Sequence, residues 1–191
     1  MNICVYGASS NKLAEEYLRV GEALGEALAR RGHTLVFGGG AQGMMGALVR
    51  GAARQGGHTV GIAPSFFNVD GILYPDCSEF IYTETMRERK GLMEERADAF
   101  VMTPGGIGTF EEFFEILTLN QLGRHNKPIA ILNTNGYFDD LLRQMERCVE
   151  ENFMKAACLQ IYASFTEPEK LLDYLEGAES RALDVRHLKN I

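Results

Sequence analysis

Thr34-Leu35-Val36-Phe37-Gly38-Gly39-Gly40-Ala41-Gln42-Gly43-Met44-Met45-Gly46-Ala47-Leu48-Val49-Arg50 passes from a short apolar run, through a glycine turn, into a segment of helical period. A strand that feeds a helix through a tight turn is the repeating unit of a parallel sheet, because parallel neighbours need a long crossover between them. The same unit recurs on both sides of this stretch. Strands are predicted at residues 3–6, 34–37, 59–63, 79–82, 99–102, 129–132 and 160–163. Helices are predicted at 12–31, 43–55, 85–97, 109–122, 137–152 and 167–175, the last opened by Pro168, where a missing amide hydrogen costs little. Residues 64–78 mix Pro64, Gly71 and Pro75 with aromatic side chains and no period, and read as a loop. The expected fold is α/β: a Rossmann-like, doubly wound, mainly parallel sheet of about seven strands with helices on both faces.

Length and composition bound the rest. A chain of 191 residues with 46% hydrophobic content suits one domain, and no repeat or linker divides residues 1–191. A formal charge of -7 argues against a nucleic-acid polymer or an anionic membrane as partner. Cys4, Cys77, Cys148 and Cys158 form no CxxC pair and the histidines are scattered, so neither a metal site nor a disulfide framework is expected. Reduced thiols, no basic-then-apolar leader and no long apolar run predict a cytoplasmic protein without a membrane span.

In an open α/β sheet, ligands sit at the carboxyl ends of the strands, where loops enter helix N-termini. Three such loops are built of small residues: Gly7-Ala8-Ser9-Ser10, Gly38-Gly39-Gly40-Ala41-Gln42-Gly43 and Pro104-Gly105-Gly106-Ile107-Gly108-Thr109. Backbone amides can approach an anion closely there, and a phosphate is the natural guest. Any one loop alone is better explained as a tight turn; three together favour phosphate. Gly38, Gly40 and Gly43 also fit GxGxxG, which raises a dinucleotide-binding oxidoreductase as an alternative. That fingerprint expects an acidic residue at the end of the next strand, however, and the sequence there is Ile62-Ala63-Pro64. The Walker A pattern is absent.

Two helices leave a choice open. Met86, Arg89, Lys90, Met93 and Ala97 share one stripe of the third helix. Arg89 and Lys90 either lay their stems along the core with their heads in water, or reach into the phosphate pocket. In the fourth helix, Thr109 and Glu112 have the spacing of a capping box, which by itself explains Glu112.

Gly38 through Gly46, Met86-Arg87-Glu88-Arg89-Lys90 and Pro104-Gly105-Gly106-Ile107-Gly108-Thr109-Phe110-Glu111-Glu112 resemble the three signatures of the Lonely Guy family. Its members are cytokinin riboside 5'-monophosphate phosphoribohydrolases and related nucleotide hydrolases, some long labelled lysine decarboxylases. The resemblance implies hydrolysis of the N-glycosidic bond of AMP or an N6-substituted AMP, giving free base and ribose 5-phosphate. It makes Arg89 and Glu112 the catalytic pair. Substrate and phosphate contacts are then expected from Ser9, Gly39, Gly40, Met86, Lys90, Gly105, Gly106, Gly108 and Thr109. It implies no cofactor, no metal, a small-molecule nucleotide as substrate and a homodimer. The apolar residues Met86, Met93, Phe110, Phe113 and Phe114 point the same way, toward a site completed across the interface. A non-catalytic nucleotide-sensing module is the remaining alternative.

Overall fold

The structure is a computed structural model that describes residues 1–178 and Leu188. Its elements run β1 (Asn2–Tyr6), α1 (Glu15–Arg30), β2 (Thr34–Phe37), α2 (Gly43–Arg54), β3 (Thr59–Pro64), β4 (Glu79–Thr83), α3 (Met86–Arg96), β5 (Ala99–Met102), α4 (Ile107–Gln121), β6 (Ile129–Leu132), α5 (Asp139–Glu150), β7 (Tyr162–Phe165) and α6 (Pro168–Gly177). The strands form one seven-stranded sheet in the order β4-β3-β2-β1-β5-β6-β7. Every pairing is parallel. The chain winds outward from β1 to β4, crosses back to lay β5 beside β1, and winds outward again to β7. The order therefore reverses between β1 and β5, and a crevice opens where the loops after these two strands diverge.

Side-chain alternation along each strand feeds two cores. On β1, Ile3 and Val5 join Leu24, Leu28, Phe37, Leu48 and Leu171 beneath α1, α2 and α6. Cys4 and Tyr6 face the other way and join Ile62, Met93, Phe100, Phe113 and Ile131 beneath α3, α4 and α5. Met93 and Phe113 are thus core residues and are not available to a partner. Helices α1 and α2 press together closely: a Cβ on Gly25 would stand 2.0 Å from the Leu48 carbonyl oxygen, and one on Gly51 would stand 2.1 Å from that of Glu22.

Several element ends differ from the sequence reading. Helix α1 starts at Glu15, because residues 11–12 form a turn in which the Lys12 amide donates to Ser10 Oγ at 3.3 Å. The stretch expected as the start of the last strand is instead a 3-10 turn, Ala156–Gln160, and the register Ile129↔Tyr162 moves β7 two residues on. A capping arrangement exists, but on α3: Thr85 Oγ1 accepts from the Glu88 amide at 3.1 Å, and the Glu88 carboxylate accepts from the Glu84 amide at 2.9 Å. Helix α4 begins at Ile107 with Gly106 as its cap, two residues before the expected start. Thr109 and Glu112 therefore lie inside the helix, and the capping explanation of Glu112 falls.

Candidate active site

All three glycine loops meet at the β1/β5 reversal. The Ala8 amide donates to the Pro104 carbonyl at 3.2 Å, and the Met45 amide donates to Ala8 at 3.2 Å, so the loops brace one another. Gly43 makes this possible, since its φ of 61° is unfavourable for other residues and a Cβ there would meet the carbonyl oxygens of Ser10 at 2.6 Å and Ala8 at 2.7 Å. Between the loops lies a cavity of about 640 Å³, a volume normal for a small-molecule site.

Its floor holds a buried ion pair. Arg89 Nη1 donates to Glu112 Oε1 at 2.6 Å, and Arg89 Nε donates to the Ile62 carbonyl at 3.0 Å. Arg89 is 6% exposed and Glu112 9%, yet both line the cavity. The guanidinium is seated against Gly38, where a Cβ would stand 2.2 Å from Nη2. A snorkelling arginine keeps its head in water; this one does not. Burial pushes the Glu112 carboxyl above its ordinary value, and the opposing pull of Arg89 does not cancel that rise. The outcome is a carboxylate at the edge of a cavity with an enhanced appetite for a proton.

The expected contact residues divide. Ser9, Gly40, Met86, Gly106, Gly108 and Thr109 line the cavity with Arg89 and Glu112. Gly39, Gly105 and Lys90 do not. Gly39, with φ of 74°, turns the chain against Phe80. Gly105 is buried behind the loop against the Thr109 side chain. Lys90 stands one residue round α3 from Arg89 and pairs with Glu111 and, at 2.9 Å, with Glu115. Burial opposes its charge, but those two carboxylates prevail and hold the ammonium above its ordinary value. Residues 65–73 supply a wall that sequence reading did not place: Phe67, Ile72 and Leu73 line the cavity. The segment opens with a 3-10 turn at Ser65–Phe67 and is held to the second glycine loop by an isolated bridge, Gly40↔Leu73. The Ala41 amide donates to the Ile72 carbonyl at 2.9 Å and the Tyr74 amide to that of Gly39 at 2.8 Å.

A second cavity, about 490 Å³ and lined by Asn120, Lys127, Tyr162 and Asp173 among others, lies at the opposite end of β6 and β7, away from every glycine loop. Among the described residues, no group of three His, Cys, Asp or Glu side chains is placed to hold a metal ion. The four cysteines are free, and no helix is long and apolar enough to cross a membrane among those residues.

A family model described as "Possible lysine decarboxylase" matches residues 45–175. The cytokinin riboside 5'-monophosphate phosphoribohydrolase LOG2 of Arabidopsis thaliana is 37% identical over 174 residues, which cover 91% of this chain and 82% of the relative. The chain belongs to the Lonely Guy family. A bacterial relative of the same name, from Rhodococcoides fascians, is 42% identical over 143 residues, 74% of this chain and 72% of its own. Solved structures share the fold at lower identity. The molybdenum cofactor binding protein of Rippkaea orientalis superposes with a TM-score of 0.69 at 24% identity, covering 92% of this chain and 95% of that one. The Moco carrier protein of Chlamydomonas reinhardtii gives 0.69 at 21%, covering 91% and 94%.

Proposed function

We propose that this Lonely Guy protein is a nucleoside 5'-monophosphate phosphoribohydrolase, cleaving AMP or an N6-substituted AMP to free base and ribose 5-phosphate. The observation that carries the reading is the buried Arg89–Glu112 pair opening into a cavity walled by three glycine loops. The name shared by the relatives supports it.

In this reading the 5'-phosphate rests on the first amides of α4 and on Thr109, where the helix dipole favours an anion. Ser9, Gly40 and Met86 line the remainder of the substrate site. Glu112 takes a proton from the attacking water as its oxygen bonds to the anomeric carbon, and it stabilises the positive charge that builds there. The electron pair of the glycosidic bond leaves with the base, which picks up a proton from solvent. Arg89 is bonded to both Glu112 and Ile62 and so fixes the carboxylate's orientation.

Two competing chemistries fit less well. Lysine decarboxylation on pyridoxal phosphate needs a lysine to hold the cofactor, and none of the residues lining the cavity is a lysine. A dinucleotide needs an acidic partner for its ribose, and β3 ends in Ala63-Pro64.

We further propose a cytoplasmic homodimer. Ile107, 88% exposed, and the exposed Met86 and Phe114 form an apolar rim on α3 and α4 beside the cavity, which a second copy would cover. Incubating the protein with AMP and measuring adenine and ribose 5-phosphate tests the central reading. Equal amounts of the two are expected, and intact AMP after extended incubation would overturn it.

A further inference from the structure

The loop that receives the phosphate in this reading contains a Gly105–Gly106 peptide. With no Cβ on either side, nothing in that dipeptide fixes the plane of its own amide. The loop behind it does. Past the end of β6, a 3-10 turn at Thr134–Gly136 brings Tyr137 against the back of the loop, and its hydroxyl donates to the Gly105 carbonyl at 2.8 Å. The peptide is trans, so the carbonyl and the following amide hydrogen point in opposite directions. A Gly105 oxygen held on Tyr137 turns the Gly106 amide away from Tyr137, toward the front of the loop. The exposures agree: Gly105 is buried behind the loop, whereas Gly106 is exposed and lines the cavity.

Tyr137 is itself held rigidly. The Asn133 side chain accepts from the Phe138 amide at 2.7 Å and donates to Asp139 at 2.7 Å, which fixes the turn. The ring meets Tyr17 edge-on at 5.9 Å and Phe138 at 4.9 Å. The residue is nevertheless 45% exposed, so packing into the core does not explain the position.

We propose that Tyr137 is a positioning residue that aims the Gly106 amide, and with it the first turn of α4, at the substrate's 5'-phosphate. The proposal rests on the nucleotide reading above. Tyr137→Phe removes the hydroxyl and keeps the ring with its two aromatic neighbours. One neutral hydrogen bond corresponds to a change of about fivefold in affinity. Accordingly, ribose 5-phosphate should bind Tyr137→Phe about fivefold more weakly by calorimetry. The KM for AMP should rise by a similar factor, with kcat within about twofold, since the Arg89–Glu112 pair is untouched. The affinity for free adenine, which has no phosphate, should not change. Equal ribose 5-phosphate affinity in the two proteins overturns the positioning role and leaves the nucleotide reading standing. A parallel loss of adenine affinity overturns it as well, by revealing a general disturbance of the pocket. A wild-type protein that binds neither ribose 5-phosphate nor AMP overturns both.

Discussion

Replacing Glu112 with glutamine separates chemistry from architecture, because the side chain keeps its length and one oxygen for Arg89 while losing its charge. The bond at risk is Arg89 Nη1 to Glu112 Oε1 at 2.6 Å, between groups 6% and 9% exposed. A hydrogen bond to a charged group is worth about 1.5–3 kcal/mol and a neutral one about 1 kcal/mol; the glutamine bond keeps the guanidinium's charge and loses only the carboxylate's, so the exchange should cost at most about 2 kcal/mol. Burial already raises the Glu112 pKa despite Arg89, which places the cost toward the lower end. At about 2–4 °C per kcal/mol for a domain of this size, the melting temperature should fall by no more than about 8 °C. Turnover should fall far more, by about 10²–10⁴, the usual worth of a general base. The measurements are adenine release from AMP, AMP affinity by calorimetry and the melting curve of the same preparation. Glu115→Gln, which removes only an exposed partner of Lys90, serves as the control and should leave turnover intact. Turnover by Glu112→Gln within about threefold of wild type, in a folded protein that binds AMP, would refute the assignment of Glu112 as base.

The acid limb of kcat/KM, which reports the free enzyme, should lie above the ordinary glutamate value of about 4.3, because protonation disables the base and burial makes protonation easier. Linkage gives a second expectation with a fixed sign: a carboxyl raised on folding favours the native state most below its unfolded value, and that benefit is lost as pH rises through the raised one. A stability–pH curve should therefore be flatter over that window in Glu112→Gln than in wild type. Gly38→Ala should fold, since that glycine has no positive φ, but its methyl group 2.2 Å from Arg89 Nη2 should displace the guanidinium and reduce kcat in the same AMP assay. Gly43→Ala should destabilise by at least about 1–3 kcal/mol in urea, because alanine is strained at φ of 61° and collides with the Ser10 and Ala8 carbonyls. AMP should raise the melting temperature where adenosine at equal concentration does not; equal shifts would remove the phosphate role of the loops.

The sheet was legible because its signal is local: each strand is a short apolar run, and three of the loops that follow strands are glycine clusters. The buried pairing of Arg89 with Glu112 was not legible from periodicity, since helix spacing shows which face a residue occupies and not what packs opposite. Family signatures carried that step. Capping was misplaced because Thr-x-x-Glu occurs at both Thr85 and Thr109, and only the glycines before Ile107 decide that α4 has already begun by Thr109. Lys90 shared the stripe with Arg89, but one residue is a rotation of about 100°, enough to carry its ammonium out to Glu111 and Glu115. Residues 65–73 gave no period to read, because their place is set by main-chain bonds to residues 39–41. The rule that ligands gather at strand ends would have found Tyr137, had it been applied to the loop after the sixth strand as well as to the glycine-rich ones.

The bridge between Gly40 and Leu73 has a consequence for anyone retuning this protein toward another base. The Ile72 end of the wall made by Phe67 and Ile72 shares its backbone pairing with the glycine loop, so those two stretches cannot be exchanged independently. A transplant from a relative that alters the count between Leu73 and β4 would strain the main-chain bonds of Ile72 and Tyr74 to Ala41 and Gly39. Residues 65–71 form the interchangeable part, while 72–74 and 39–41 must travel together as a single cassette.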